Sequence, residues 1–241
     1  LKGWELILKR DKILESIKDG LIVSCQARKG WPMQGSNIMA AFAKAAKQGG
    51  AVGIRANGKE DVRAISQAVD LPIIGINKVW DENMRVFITP TLSMAVEVIE
   101  AGANIIALDG TMRERPNGET LEFIIKEIHE RYSDVLVMAD ISTFEEALYS
   151  NQCGVDMIST TLAGYTPQTS NIKGFDYELL KKLVENIDKP IIAEGKIHTK
   201  EEALKILEMG SYCIVVGTAI TRPEVITSWY VEELKKGKKH E

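Results

Sequence analysis

Two side chains stand where a proton could be moved. Lys78 follows the apolar run of "PIIGINK", and Glu194 follows that of "PIIAEG". A carboxylate at the end of a strand buried on both faces must be paired, because otherwise it bears a large desolvation cost or takes up a proton. The residues that follow the other apolar runs supply candidates. These are Ser24, Cys25 and Gln26 after the first run, Arg55 after the second, and Asp109 and Asp140 after the fourth and fifth. Ser159, Thr160 and Thr161 close the sixth, and Gly217 follows the eighth. If all the runs end on one side, Arg55, Lys78, Asp109, Asp140 and Glu194 converge. Two cations and three carboxylates then compensate one another and shift one another's pKa. A lysine lowered by burial and by a neighbouring cation, facing a carboxyl raised by burial, suits proton abstraction and return. A purely structural ring of ion pairs is the plainer alternative.

A second pattern concerns anions. "VVGTAITRPEVI" (215–226) reads as a strand, a loop of small residues and a helix opening at Pro223, a favoured first helical position. Small residues let backbone N–H groups approach a phosphate. Gly195 and Lys196 after the seventh run, with Gly217, Thr218 and the guanidinium fork of Arg222, would complete a cradle. Glycine also ends strands for packing reasons. The three histidines, His129, His198 and His240, all lie away from strand ends. His129 reads as a helix-surface residue. No His/Asp metal cluster is expected, so Lys and Glu would carry the protons without metal or cofactor.

Positioning such groups requires a repeated scaffold. Eight short apolar runs alternate with helix-period segments: 21–25, 51–54, 72–76, 105–108, 135–139, 157–160, 190–193 and 213–216. They lack in/out alternation, as strands covered on both faces do. "EDVRAISQAV" places Val62, Ile65 and Val69 on one face, and "ETLEFIIKEI" does so with Leu121, Ile124, Ile125 and Ile128. "STFE" (142–145) and "TKEE" (199–202) fit the capping box, and Gly102 and Gly210 mark helix ends. Eight such units predict an α/β fold, a (β/α)8 TIM barrel in a single domain spanning 1–241, with an N-terminal helical extension over 1–20 and the barrel over about 21–235. A doubly wound open sheet is the competitor, but no Gly-x-Gly-x-x-Gly follows the first strand. A ninth run, "VFITP" (86–90), is expected to be a short extended piece outside the barrel.

The 241 residues with a net charge of −4 and scattered Lys and Arg argue against nucleic acid as a partner. No apolar stretch is long enough to span a membrane, and the charged N-terminal segment lacks a signal-peptide core. Three cysteines far apart (Cys25, Cys153, Cys213) fit a reduced, cytoplasmic setting. The sequence starts at Leu1 and not at Met, which is consistent with residues missing upstream.

"LIVSCQA", "AVGIRA", "PIIGINK", "ITPT", "ALDGTMRERPNGE", "MADIST", "STTLAGYTP", "AEGKIHT" and "VVGTAITRP" occur in this order. Together they resemble the bacterial N-acetylmannosamine-6-phosphate 2-epimerases, over nearly everything from residue 12 to residue 235. The resemblance implies a (β/α)8 barrel, a homodimer, and interconversion of N-acetylmannosamine-6-phosphate with N-acetylglucosamine-6-phosphate in sialic acid breakdown. It makes Lys78 the proton-transferring lysine and Glu194 its partner. It makes Gln26, Arg55 and Asp140 substrate contacts, and Gly195, Lys196, Gly217, Thr218 and Arg222 phosphate contacts. Thr218 departs from the family, where Gly or Ser is more usual. The loop "RKGWPMQGSN" carries Trp31, which could pack the loop or cover the sugar. Other phosphate-binding barrel enzymes, and a non-catalytic sugar-phosphate binder, are the rival readings.

Overall fold

The structure, a computed structural model, describes residues 2–81 and 84–237, with side chains from residue 9 onward. The first half of the chain runs α1 (Lys2–Ile17), β1 (Leu21–Cys25), α2 (Ser36–Gln48), β2 (Gly53–Asn57), α3 (Lys59–Ser66), β3 (Ile73–Ile76), α4 (Leu92–Glu100), β4 (Ile105–Asp109). The second half runs α5 (Leu121–Arg131), β5 (Leu136–Asp140), α6 (Phe144–Gln152), β6 (Met157–Ser159), α7 (Tyr177–Asn186), β7 (Ile191–Glu194), α8 (Lys200–Glu208), β8 (Cys213–Val216), α9 (Thr218–Thr221) and α10 (Pro223–Gly237). Each strand pairs in parallel with its sequence neighbours and β8 closes on β1, giving a closed eight-stranded barrel. The barrel expectation, with its N-terminal helix, therefore holds.

Residues alternate along each strand between two cores. Leu136 and Met138 of β5 point into the barrel with Ile22, Ile74, Ile105, Met157 and Ile192. Val137 and Ala139 point outward against the helices, among them Ile124 and Ile128 of α5. Ile13 and Ile17 of α1 join the inner cluster, so α1 seals the N-terminal end of the barrel. Arg10 on α1 pairs with Asp156, which also takes a bond from His129 Nε2 at 3.0 Å. His129 is thus half-buried in this junction and is not a free surface residue.

Strand boundaries explain how the functional residues are held. β2 begins at Gly53, two residues later than its apolar run, and continues through Arg55 to Asn57, in register with Ile74 to Ile76 of β3. Arg55 is therefore inside a strand. β4, β5 and β7 likewise end on their acids, Asp109, Asp140 and Glu194. The 86–90 run stays outside the barrel. Lys78 and Ile88 form an isolated antiparallel bridge, so this run folds back over the end of β3.

The capping box of α8 is Thr199 with Glu202, as the sequence suggests. That of α6 lies one residue later than expected, at Thr143 with Glu146, while Ser142 donates from both its N–H and its hydroxyl to the same Glu146 oxygen. The tandem Ser-Thr and Glu-Glu pairs make both registers legible in sequence, and the structure uses both hydroxyls. Gly102 and Gly210 follow the ends of α4 and α8 at φ 117° and 97°, left-handed conformations that glycine adopts without steric cost. Among the described residues no helix is long and apolar enough to cross a membrane.

Candidate active site

At the C-terminal end of the barrel the buried charges form one network. Arg55 is fully buried. Its Nη2 donates to Asp140 Oδ2 at 2.5 Å and its Nη1 to Asp140 Oδ1 at 3.0 Å, a bidentate pair between β2 and β5 across the barrel. The same Nη1 reaches Glu194 Oε2 at 2.7 Å. Thr161 Oγ1 lies 2.7 Å from Asp140 Oδ1 and 3.0 Å from Glu194 Oε2, so its single proton is shared between the two carboxylates. Thr160 fixes the backbone of Glu194, accepting from its N–H and donating to its carbonyl. Among the described residues every bond to the Glu194 carboxylate goes to Oε2. Among the described residues Oε1 has no partner, and Glu194 lines the cavity above. Desolvation raises the pKa of Glu194, with Asp140 adding to the rise, while Arg55 and Lys78 oppose it.

Lys78 sits at the mouth just after β3, its N–H bonded to Asn57 Oδ1 at 2.8 Å. Burial first, and the Arg55 guanidinium second, bring its pKa down to about 8. Lys78 and Glu194 thus have their proton affinities moved toward each other, the condition for exchanging protons with a substrate near neutral pH. Asp109 departs from the expected convergence. Its carboxylate is taken by the Thr111 N–H and hydroxyl at 3.0 and 2.6 Å and by Arg113 at 2.9 Å, so it organises the loop after β4.

A cavity of about 660 Å³ opens above this network. Gln26, Lys78, Glu194, Gly195, Lys196, Gly217, Thr218 and Arg222 all line it. Arg55 and Asp140 stand beneath it, behind Glu194, and do not line it. The stretch after Gly217, expected as a loop, is instead the one-turn helix α9, whose first N–H groups have no intrahelical acceptor. Thr221 of α9 donates to the Ser24 carbonyl at 2.7 Å, which locks this turn onto β1. A Cβ on Gly217 would come within 3.2 Å of Ser24 Cβ, so the close approach of turn and strand favours glycine there. Arg222 Nε donates to Glu224 at 2.8 Å. Lys196 reaches back to the carbonyls of Gly164 (3.3 Å) and Ile172, and its ammonium lies 5.0 Å from the Tyr165 ring centroid. It ties the loop after β6 to the cavity wall.

Sequence reasoning passed over Arg28, Trp80 and Tyr165, which also line the cavity. Trp80 stands two residues after Lys78, and that spacing was the available signal. Among the described residues no group of three or more His, Cys, Asp or Glu side chains is placed to hold a metal ion.

Comparison with known proteins bears on this geometry. Residues 39–236 match the family described as "NanE: Putative N-acetylmannosamine-6-phosphate epimerase". A Caldanaerobacter subterraneus subsp. tengcongensis protein named "Putative N-acetylmannosamine-6-phosphate 2-epimerase" is 50% identical, over 93% of this chain and 94% of its own length. A Listeria welshimeri protein of the same name is 48% identical, over 94% of this chain and 97% of its own. The solved N-acetylmannosamine-6-phosphate 2-epimerase from Clostridium perfringens superposes with a TM-score of 0.88 at 44% identity, covering 91% of this chain and 95% of that one. A thiamine phosphate pyrophosphorylase from Pyrococcus furiosus, at 19% identity and TM-score 0.57 over 87% of this chain and 89% of its own, shares the fold.

Proposed function

The chain belongs to the N-acetylmannosamine-6-phosphate epimerase family, and on that premise we propose how its barrel mouth works. The protein is an isomerase that interconverts N-acetylmannosamine-6-phosphate and N-acetylglucosamine-6-phosphate, a step of sialic acid catabolism. The two sugars differ only at C2. That carbon is acidic when the ring is open, because the C1 aldehyde then takes up the electron pair as an enolate. Removing the C2 proton and returning one to the opposite face inverts the centre, and collapse of the enolate restores the aldehyde.

The observation that carries this reading is the facing of a lysine lowered to about 8 with a carboxyl raised by burial, in one cavity. We assign Lys78 and Glu194 as the proton carriers. In one direction neutral Lys78 takes the C2 proton and the Glu194 carboxylic acid supplies the other. In reverse, the carboxylate takes and the ammonium gives. Arg55 and Asp140 act beneath the substrate. Arg55, fixed by Asp140, joins Thr161 in holding Glu194 by one oxygen, leaves Oε1 for the sugar, and places a cation that keeps Lys78 from binding its proton too tightly. Gln26 offers its amide to sugar oxygens. The N–H groups around Gly195, Gly217 and Thr218, with Lys196 and Arg222, receive the phosphate. The chemistry uses no metal or cofactor.

We further read the protein as a cytoplasmic homodimer. Its three cysteines are unpaired, as a reducing compartment keeps them. The fifteen-residue helix α10 has no fully buried residue, yet Tyr230 and Leu234 on one of its faces are 71% and 70% exposed. A second copy of the chain would cover them.

The test is proton NMR of N-acetylmannosamine-6-phosphate incubated with the protein in heavy water. The glucosamine epimer should appear with deuterium at C2. Product that keeps its C2 proton would replace the two-carrier mechanism with a single shielded carrier. Neither product nor exchange, from folded protein, would overturn the proposal.

A further inference from the structure

The loops after β1 and β3 meet over the cavity in a stack of cations and indoles that the reaction as derived does not use. The Arg28 guanidinium carbon lies 3.5 Å from the ring centroid of Trp80 and 5.3 Å from that of Trp31. On Trp31 a second guanidinium is closer, that of Arg222, at 3.8 Å. The two guanidinium carbons can therefore be no further apart than the sum of those last two distances, near enough for one phosphate to take N–H donors from both once Arg28 shifts toward it. Lys78 Nζ lies 5.6 Å from the Trp80 ring, so Arg28 shares one indole with Lys78 and the other with Arg222.

The charge balance of this stack is lopsided. Arg222 has Glu224, whereas Arg28 makes no ion pair with any described residue and is held by ring faces alone. Its pKa is pressed down, by desolvation first and then by repulsion from Arg222. Two like charges gathered on one indole at the rim of an anion-binding cavity repel each other until an anion lies between them. A face-on ring contact is weaker than a charge-assisted bond to phosphate, so a phosphate can draw Arg28 off Trp80.

We propose that Arg28 is a second phosphate-recognising guanidinium of this site, paired with Arg222 across Trp31 and held ready on Trp80. It comes from the loop after β1, next to the Gly217–Thr218 turn that follows β8. This assignment rests on the reading of the cavity as a sugar-phosphate site. It makes Arg28 a determinant of specificity for phosphorylated over neutral amino sugars.

Inorganic phosphate is titrated into the wild-type protein, into Arg28→Gln and into Arg28→Lys, with tryptophan emission and calorimetry as readouts. Arg28 is exposed, so the substitutions leave the core untouched. Wild type should bind phosphate with a change in emission that the double variant Trp31→Phe, Trp80→Phe removes. Arg28→Gln should bind about 10-fold or more weakly, and Arg28→Lys should fall between, because an ammonium keeps the charge but loses the fork. In steady state, Arg28→Gln should raise KM for the phosphosugar by more than it lowers kcat. Equal phosphate affinity in wild type and Arg28→Gln would overturn the proposal and leave the stack as loop packing. Because the titration needs no turnover, a protein that binds phosphate through Arg28 yet epimerises nothing would sink the proposed reaction and keep this site.

Discussion

Under the proposed assignment a single proton sets the behaviour of the mouth, and Lys78 and Glu194 decide which of them holds it. With Lys78 brought to about 8, raising pH through that value increases the neutral amine able to take the C2 proton. The pH profile of kcat/KM in that direction should therefore show a rising limb near pH 8, where an ordinary lysine would place it near 10.5. Glu194 opposes the depression of Lys78. In Glu194→Gln the lysine should titrate lower still, read from the Cε shift of labelled lysine. A Lys78 that titrates above 10 in the wild type would remove it as the base. Lys78→Ala should lose about 10²–10⁴-fold in turnover, the usual worth of a positioned acid–base group. Arg55 belongs to stability as much as to chemistry. Arg55→Met would strand Asp140 and Glu194 as buried carboxylates. Removing one partner of a buried pair costs about 3–5 kcal/mol, a fall in Tm on the order of 10 °C for a chain of this size. A Tm within a degree of wild type would mean the network is not holding the barrel end. The sequence made Lys78, Glu194, Arg55 and Asp140 legible because each terminates a run that otherwise carries no charge. It did not separate Asp109 from them, since only the fold shows that Thr111 and Arg113 of its own loop reach its carboxylate first.

These residues are only as well placed as the strands that bear them. Gly75 lies in β3, three residues before Lys78, where α4 packs closely. A Cβ there would come within 2.6 Å of Ala103 Cβ and 3.3 Å of Val98. Gly75→Ala should destabilise the protein by about 1–3 kcal/mol through overpacking. It should also lower kcat, because relief of the clash requires β3 or α4 to move. A variant of lower Tm and undiminished kcat would show that the Lys78 position is set by its Ile88 bridge and Asn57 bond alone. The strands and the helices between them were legible, since runs of Ile, Val and Leu separated by helix-period segments repeat eight times, but α9 was not, its stretch reading as a loop of small residues. Boundaries were less so where charge enters a strand. β2 carries Arg55 and Asn57, polar residues that end an apolar run on paper but continue the hydrogen-bonded ladder, because Asp140 neutralises Arg55 inside the barrel. The same held for α6, where two hydroxyls and two glutamates allowed two capping registers.

At the scale of the whole molecule, the order of eight strands and their closure followed from the repeat alone, and what the repeat could not predict is what lies outside it. α1 contributes Ile13 and Ile17 to the floor of the barrel, a role that its amphipathic pattern allowed but did not specify. α10 does the reverse. Ile226, Tyr230 and Leu234 fall four residues apart along one face, with Val231 beside them; Ile226 is half-buried, and the helix finds too little of its own barrel to bury the other three. Apolar area left open in this way favours association, at roughly 25 cal/mol for each Å² removed from water. The same helix begins one residue after Arg222, so its docking bears directly on the cavity wall that Arg222 lines. The protein should sediment at twice the chain mass, and Tyr230→Glu combined with Leu234→Glu should shift it to the monomer. If α10 is steadied by that contact, the double variant should also raise KM for the phosphosugar, through loss of Arg222 placement, with its far-ultraviolet circular dichroism retained. A wild-type protein that sediments as a monomer at every concentration would refute the dimer. A monomeric double variant with unchanged KM would confine the role of α10 to assembly.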